Sequence, residues 1–303
     1  MTISQGAGRA SARLARGVWR GGMVAVCASL LLAGCATRPD GNYPVKSGGS
    51  SSNANASTVS RGSYSTDTKD RPTASDETDA TRRASVRLEL AGAYFSRGQM
   101  TTALDEVKKS ITANPNVAAA FNLRGLIYGS LGDHPLAEDS FRRAMQLDAQ
   151  DADVRQNFGW YLCQQDRYAE ADAQFSAALA VPRYADSART LLTQGVCQAR
   201  SGKTDDAERT LLRAYALEPG NPAVAVNLSE VLYRKGDVER ARFYIRRVNA
   251  VPNLVSAQTL WLAARIEHKI GNAQGTADFS EQLRNRFPQS PEASALNEGR
   301  FNE

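Results

Sequence analysis

The sequence predicts an all-α fold, a right-handed solenoid of about six helical hairpins, and two observations carry that prediction. A turn-forming residue stands five positions before an alanine in five places, and successive alanines are 34, 34, 36 and 34 residues apart. The second observation is that each copy has a small residue in its first helix, which allows close packing of the two helices. The copies are Gly98 and Ala103, Gly132 and Ala137, Asp166 and Ala171, Gly202 and Ala207, and Gly236 and Ala241.

A fixed period near 34 residues is typical of tetratricopeptide repeats, each a hairpin of a first helix (helix A) and a second helix (helix B). One hairpin cannot bury its apolar face alone, so hairpins stack into a superhelix with a concave binding surface. We expect this domain over residues 81–295, before a tail at 296–303. The predicted repeats are 84–117, 118–151, 152–185, 188–221, 222–255 and a degenerate copy at 256–289.

The N-terminus has the pattern of a secretory signal at residues 1–34. Four arginines precede the apolar run 23–33, which is too short to span a bilayer. The run ends in Leu32-Ala33-Gly34-Cys35, which resembles a bacterial lipobox, so Cys35 is the expected site of acylation with palmitate-type chains. An ordinary signal peptide with a coincidental cysteine is the alternative. Ala36 follows the cysteine instead of Asp, which favours the periplasmic face of the outer membrane.

The mature chain is expected to be nearly neutral and to begin with a flexible linker. Removing the four signal arginines from 37 basic residues leaves 33, against 32 acidic residues, so the composition gives no case for nucleic-acid binding. Residues 35–80 are rich in Gly, Ser, Thr, Asn and Asp and cannot bury enough surface to order themselves. A flexible chain of that length spans roughly 35 to 40 Å.

Candidate catalytic residues are lacking. The histidines are His134, in a predicted turn, and His268, near the end of a helix A, and neither has metal-ligand spacing or a nucleophile partner. No Gly-rich phosphate loop follows a predicted strand. We therefore expect a binding protein with no catalytic site, cofactor or metal, in which both histidines have surface or capping roles.

Two cysteines, Cys163 and Cys197, remain once the signal is removed and Cys35 is acylated. They fall on the helices A of adjacent repeats, and the periplasm is oxidising, which favours a disulfide between them. Two separately buried thiols are the alternative.

Several segments together resemble the PilF/PilW family of type IV pilus biogenesis lipoproteins. They are the lipobox, the polar linker, Asn157-Phe-Gly-Trp-Tyr-Leu-Cys163, Gly195-Val-Cys197, Asn221-Pro-Ala-Val-Ala-Val-Asn-Leu, Ala241-Arg-Phe-Tyr244 and Arg286-Phe-Pro-Gln-Ser-Pro-Glu292. The resemblance covers Cys35 and roughly residues 84–295. It implies a pilotin-like role, in which the protein helps the pilus secretin reach the outer membrane or assemble, or supports stable pili.

In tetratricopeptide domains, helix A positions 2, 5, 9, 12 and 13 usually face the concave groove. An apolar groove suits an amphipathic helix or an extended hydrophobic segment of a partner. The alternative is that these side chains close the packing between neighbouring helices A. Arg87, Arg124 and Arg155 stand where bulky apolar residues are usual, so the register could be offset by one. The predicted groove residues are Leu88, Phe95, Leu126, Trp160, Leu192, Val196 and Tyr233.

Two other binding functions fit the same repeats. One is an outer-membrane adaptor for peptidoglycan hydrolases, and the other is a component of the β-barrel assembly machinery. The second usually begins its repeats soon after the lipidated cysteine, whereas a linker of about 45 residues intervenes here.

Overall fold

The computed structural model describes residues 79–301, and this range contains thirteen α-helices, one short 3-10 helix and no strand. The helices are α1 (Asp79–Ser96), α2 (Met100–Ala113), α3 (Ala118–Leu131), α4 (His134–Leu147), α5 (Ala152–Gln164), α6 (Tyr168–Leu179), α7 (Ser187–Arg200), α8 (Thr204–Leu217), α9 (Pro222–Lys235), α10 (Val238–Asn249), α11 (Ala257–Ile270), α12 (Ala273–Arg286) and α13 (Pro291–Asn297). The all-α prediction is confirmed.

The first twelve helices pack in consecutive pairs, so that α1 with α2 is the first hairpin and α11 with α12 is the sixth. Each helix B also packs against the helix A that follows it. The last helix, α13, packs against both helices of the sixth hairpin. The result is a tetratricopeptide solenoid with a short terminal helix over its end.

In the second to fifth hairpins, helix A and helix B meet at one small residue in the middle of helix A. A Cβ atom added at Gly195 would lie 2.6 Å from Leu211 Cγ, and one added at Gly159 would lie 2.9 Å from the ring of Phe175. In the fifth hairpin Ser229 takes this place, and its hydroxyl donates to the carbonyl of Ala241 at 2.9 Å. This close contact explains why the period contains a small residue at the same point of each helix A.

Local signals fix where the helices begin and end. The turn between helix A and helix B has one residue at positive φ. In five hairpins this residue is a glycine, because a side chain is strained in that conformation. The third hairpin has Asp166 there, at φ 59°. At the start of α9, Asn221 accepts hydrogen bonds from the amides of Ala223 and Val224, and Pro222 occupies the first helical position.

The solenoid curves with the helices A on the inside. Each helix A contacts the helix A of the next hairpin, whereas neighbouring helices B in the described range make no comparable contacts. Closer approach on one side of a stack bends it toward that side. The surface formed by α1, α3, α5, α7, α9 and α11 is therefore the concave one, and we call it the inner face.

A buried carboxylate ties the sixth hairpin to the fifth. The Glu267 side chain is 1% exposed and accepts hydrogen bonds from Arg242 and Arg246 of α10 and from Asn272. Burial by itself would raise the pKa of this carboxyl, but the three donors outweigh burial and hold the pKa below its usual value. At pH values above the ordinary pKa of a glutamate carboxyl, the interaction therefore contributes its full stabilisation to the fold. This stabilisation is lost as the pH falls through the lowered pKa of Glu267.

We expect Gly195→Ala to lower the free energy of unfolding by about 1 to 2 kcal/mol. The new methyl group would force Leu211 or the backbone to move, and overpacking of this kind costs about 1 to 3 kcal/mol, offset in part by the better helix propensity of alanine. Urea denaturation followed by circular dichroism measures the change.

Gly92→Ala is the matched control, because Gly92 is also in a helix A but a Cβ there would meet nothing within 4 Å. This variant should be more stable than the parent by about 0.5 to 1 kcal/mol. Equal effects of the two substitutions would contradict the close-contact explanation.

Candidate functional site: the inner face of the solenoid

Each helix A leaves one stripe of side chains less buried than the rest, and this stripe is the inner face. In α5 the stripe runs through Asn157, Trp160 and Gln164, while Phe158 and Tyr161 are buried. The spacing of three and four residues keeps these positions on one side of the helix. The inner face is therefore continuous from hairpin to hairpin along the stack.

Six of the seven predicted groove residues are half-buried and lie on this stripe: Leu88, Phe95, Leu126, Trp160, Leu192 and Val196. Five of them pack against clusters of buried side chains. Leu88 and Phe95 pack on the cluster of the first hairpin, Leu126 and Trp160 on the cluster around the cysteines, and Leu192 on two clusters further along. These side chains therefore contribute to helix packing and also present apolar surface to solvent.

Tyr233 is placed differently from the other predicted groove residues, since it is only 6% exposed. The Arg265 guanidinium and the Lys269 ammonium each lie 4.7 Å from the centre of its ring. Its hydroxyl donates to the carbonyl of Phe301 at 3.3 Å. Tyr233 is thus packed under Arg265 and Lys269 and is hydrogen-bonded to the C-terminal segment.

Polar residues of the inner face were missed by the sequence reasoning. Asn157 Nδ2 donates to Asn122 Oδ1 at 3.3 Å, which links α5 to α3. In α11, Trp261, Arg265 and His268 occupy the inner stripe. These residues are at helical spacing from the predicted groove residues, so the spacing could have identified them. The prediction included only apolar residues and therefore left them out.

Cys163 and Cys197 form a disulfide between α5 and α7, with their Cα atoms 5.9 Å apart. Both residues are buried, and Trp160 packs against the same cluster. The bond therefore joins two neighbouring helices A directly beneath the inner face.

The three arginines found at usually apolar positions each contact the helix B of their own hairpin. Arg87 pairs with Glu106 at 2.7 Å and Arg124 Nε donates to Ser140 at 2.9 Å, while Arg155 contacts Gln174 at 3.5 Å. Hydrogen bonds from Lys109 and Arg87 hold the pKa of Glu106 below its usual value. These side chains span the hairpin and do not line the inner face.

Both histidines contact aromatic side chains. His134 is the first residue of α4, and its Nδ1 lies 3.2 Å from the hydroxyl of Tyr161. The His268 ring stacks on Phe301 with ring centres 4.3 Å apart. Within residues 79–301 no group of three or more His, Cys, Asp and Glu side chains is arranged to hold a metal ion.

Other predicted features lie outside the described residues. These are the signal peptide at 1–34, the lipidation site Cys35 and most of the linker at 35–80. No helix of the described range is both long and apolar enough to cross a membrane.

Comparison with known families matches three stretches of the chain to the tetratricopeptide repeat. Two family descriptions of that repeat cover residues 88–152 and 157–222 in one case and 198–253 in the other. Together they include more than half of the chain.

Two similar proteins are described by a role in type IV pili. The chain is 25% identical over 214 residues to the type IV pilus assembly protein PilF of Pseudomonas aeruginosa, across 71% of this chain and 84% of that protein. The crystal structure of PilW, described as a widely conserved type IV pilus biogenesis factor, superposes with a TM-score of 0.65 at 28% identity, over 70% of this chain and 97% of PilW. The structure of P. aeruginosa PilF has a TM-score of 0.62 at 22% identity, over 73% of this chain and all of PilF, and so shows a shared fold.

Removal of the disulfide should destabilise the solenoid by about 3 to 4 kcal/mol in the chain-entropy treatment, since the bond closes a loop of 34 residues. Urea denaturation with and without reductant measures this change. The Cys163→Ala/Cys197→Ala double variant is the control, and reductant should not alter its stability.

Mass spectrometry of a non-reduced digest identifies the linked peptides directly. Two free thiols in protein exported to the periplasm would contradict the pairing.

Proposed function

Since this chain belongs to the tetratricopeptide repeat proteins and is homologous to PilF and PilW, we propose that it acts in type IV pilus biogenesis as a lipid-anchored adaptor of the outer membrane. Repeats of this family are typically scaffolds for protein interaction, and the inner face offers the surface for it. The observation that carries the proposal is the homology to two pilus biogenesis proteins over most of the repeat domain.

The proposed anchor is the acylated Cys35. The lipobox-like tetrapeptide and the following Ala36 favour the outer membrane, and two or three acyl chains are enough for stable anchoring. The disulfide in the repeat domain is consistent with this address, because such bonds persist in oxidising compartments such as the periplasm. A linker of about 45 residues would let the solenoid reach partners some distance from the membrane.

The proposed partner is the pilus secretin or a protein associated with it. The inner face presents half-buried apolar side chains on successive helices A, among them Phe95, Leu126, Trp160 and Leu192. Such a stripe fits an amphipathic helix or an extended apolar segment, for which Trp and Phe are efficient anchors. Binding of a secretin segment here would help secretin subunits reach the membrane and assemble.

We predict that Trp160→Glu weakens the partner contact by about 2 kcal/mol or more, roughly 30-fold in Kd, because it places a charge in an apolar contact. Cells with this variant should contain fewer detergent-resistant secretin multimers and fewer surface pili. Immunoblots and pilus shearing measure the two quantities. Phe95→Glu, in the first hairpin, should act in the same direction.

Leu217→Glu is the control, since Leu217 is 56% exposed and lies at the end of a helix B. It should leave multimers and pili at parental levels. Circular dichroism and a cooperative melt establish that each variant is folded. If deletion of the whole gene leaves the secretin multimers and the surface pili unchanged, the proposed pilus function is wrong. If deletion changes them but Trp160→Glu and Phe95→Glu do not, the proposed binding site on the inner face is wrong.

We predict that Cys35→Ala releases the protein from the outer membrane, because its acyl chains are the proposed anchor. Membrane fractionation with salt and carbonate washes measures the release. Sedimentation of the variant with the outer membrane after these washes would rule out a lipid anchor at Cys35.

A further inference from the structure

The C-terminal segment of the described range lies on the inner face at the last two hairpins. After α13, Gly299 adopts φ 68°, and the amide of Arg300 donates back to the carbonyl of Ala295, which reverses the chain. The next residue, Phe301, then reaches the inner stripe of α11. We call residues 299–301 the tail segment.

Phe301 is held by both its side chain and its backbone. Its ring stacks on His268 at 4.3 Å and lies 5.1 Å from Trp261, measured between ring centres. Its carbonyl oxygen accepts from Arg265 Nε at 3.1 Å and from the Tyr233 hydroxyl at 3.3 Å. The contacts come from two neighbouring helices A, α9 and α11. Main-chain hydrogen bonds and pockets for side chains are both used in the recognition of peptide segments, and aromatic side chains bury a large apolar area.

The tail segment does more than close the end of the stack. A solenoid needs its last apolar surface covered, and α13 supplies that cover, because Ala293 and Leu296 pack with Leu260 and Leu283. Phe301 packs against the same cluster and also extends onto the stripe that the other hairpins of the described range leave open. Its removal would free the hydroxyl of Tyr233, one of the predicted groove residues, from its acceptor.

We propose that the surface formed by Tyr233, Trp261, Arg265 and His268 is a peptide-binding subsite for an aromatic residue, and that Phe301 occupies it in the free protein as an internal competitor. This proposal rests on the proposed function, because the external ligand is a segment with an aromatic residue in the protein that binds the inner face. A partner segment can bind this end of the inner face only by displacing the tail segment. The tethered competitor has an effective concentration in the millimolar range, which raises the threshold for binding.

The test uses the full chain and a synthetic peptide of residues 297–303, Asn-Glu-Gly-Arg-Phe-Asn-Glu, carrying a fluorescent label. Phe301→Ala in the protein vacates the aromatic position and leaves the rest of the tail in place. Fluorescence anisotropy measures peptide binding to the parent chain, to the Phe301→Ala chain and to a Phe243→Ala control. Phe243 is 55% exposed on α10 and has no contact with the tail segment among the ring interactions of the described range.

The Phe301→Ala chain should bind the peptide at least tenfold more tightly than the parent and Phe243→Ala chains. A peptide with alanine at the Phe301 position should not bind any of them. Equal binding to the three chains, binding that does not need the phenylalanine, or no binding to the Phe301→Ala chain would each overturn the subsite. A cooperative melt of the Phe301→Ala chain excludes a folding defect as the cause.

Adding Arg265→Ala to the Phe301→Ala chain should weaken peptide binding again, because the carbonyl loses one of its two donors. No pilus component enters these measurements. Failure of the subsite would therefore leave the pilus function standing, and failure of the pilus function would leave the peptide binding as measured.

Discussion

The close contact between helix A and helix B is the constraint on which the rest of the structure depends. At Gly125, Gly159 and Gly195 the space for a Cβ atom is taken by Phe141, Phe175 and Leu211, respectively. Bulky residues of helix B pack this tightly at these three positions because glycine has no side chain there. The hairpin geometry repeats because this contact repeats, and it leaves the opposite stripe of each helix A free of helix B.

Contacts between hairpins convert these free stripes into one surface. The disulfide joins α5 to α7, the Asn122 and Asn157 amides join α3 to α5, and Glu267 joins α10 to α11 through two arginines. Each link fixes one hairpin against the next, so the side chains of the inner face keep a defined spacing. A binding surface held in this way loses little conformational freedom when a partner binds.

The period of the sequence was enough to predict the fold, because the 34-residue interval records the helix contact in each hairpin. The same register placed Leu126 and Trp160 on the inner stripe. Two features were not predictable in this way. Arg87 and Arg124 stand at positions that are usually apolar because Glu106 and Ser140 of the facing helices accept their hydrogen bonds, and such pairs leave no periodic signal. The tail segment lies beyond the last repeat, so the period says nothing about where Phe301 packs.

Site-specific photo-crosslinking in living cells can detect binding of a protein of the pilus machinery to the inner face. A photoreactive amino acid at Leu192 lies on the inner stripe, and one at Phe243 lies on a helix B. We expect the probe at Leu192 to crosslink to the secretin or a secretin-associated protein and the probe at Phe243 not to do so. Crosslinks to those proteins from Phe243 alone would contradict it.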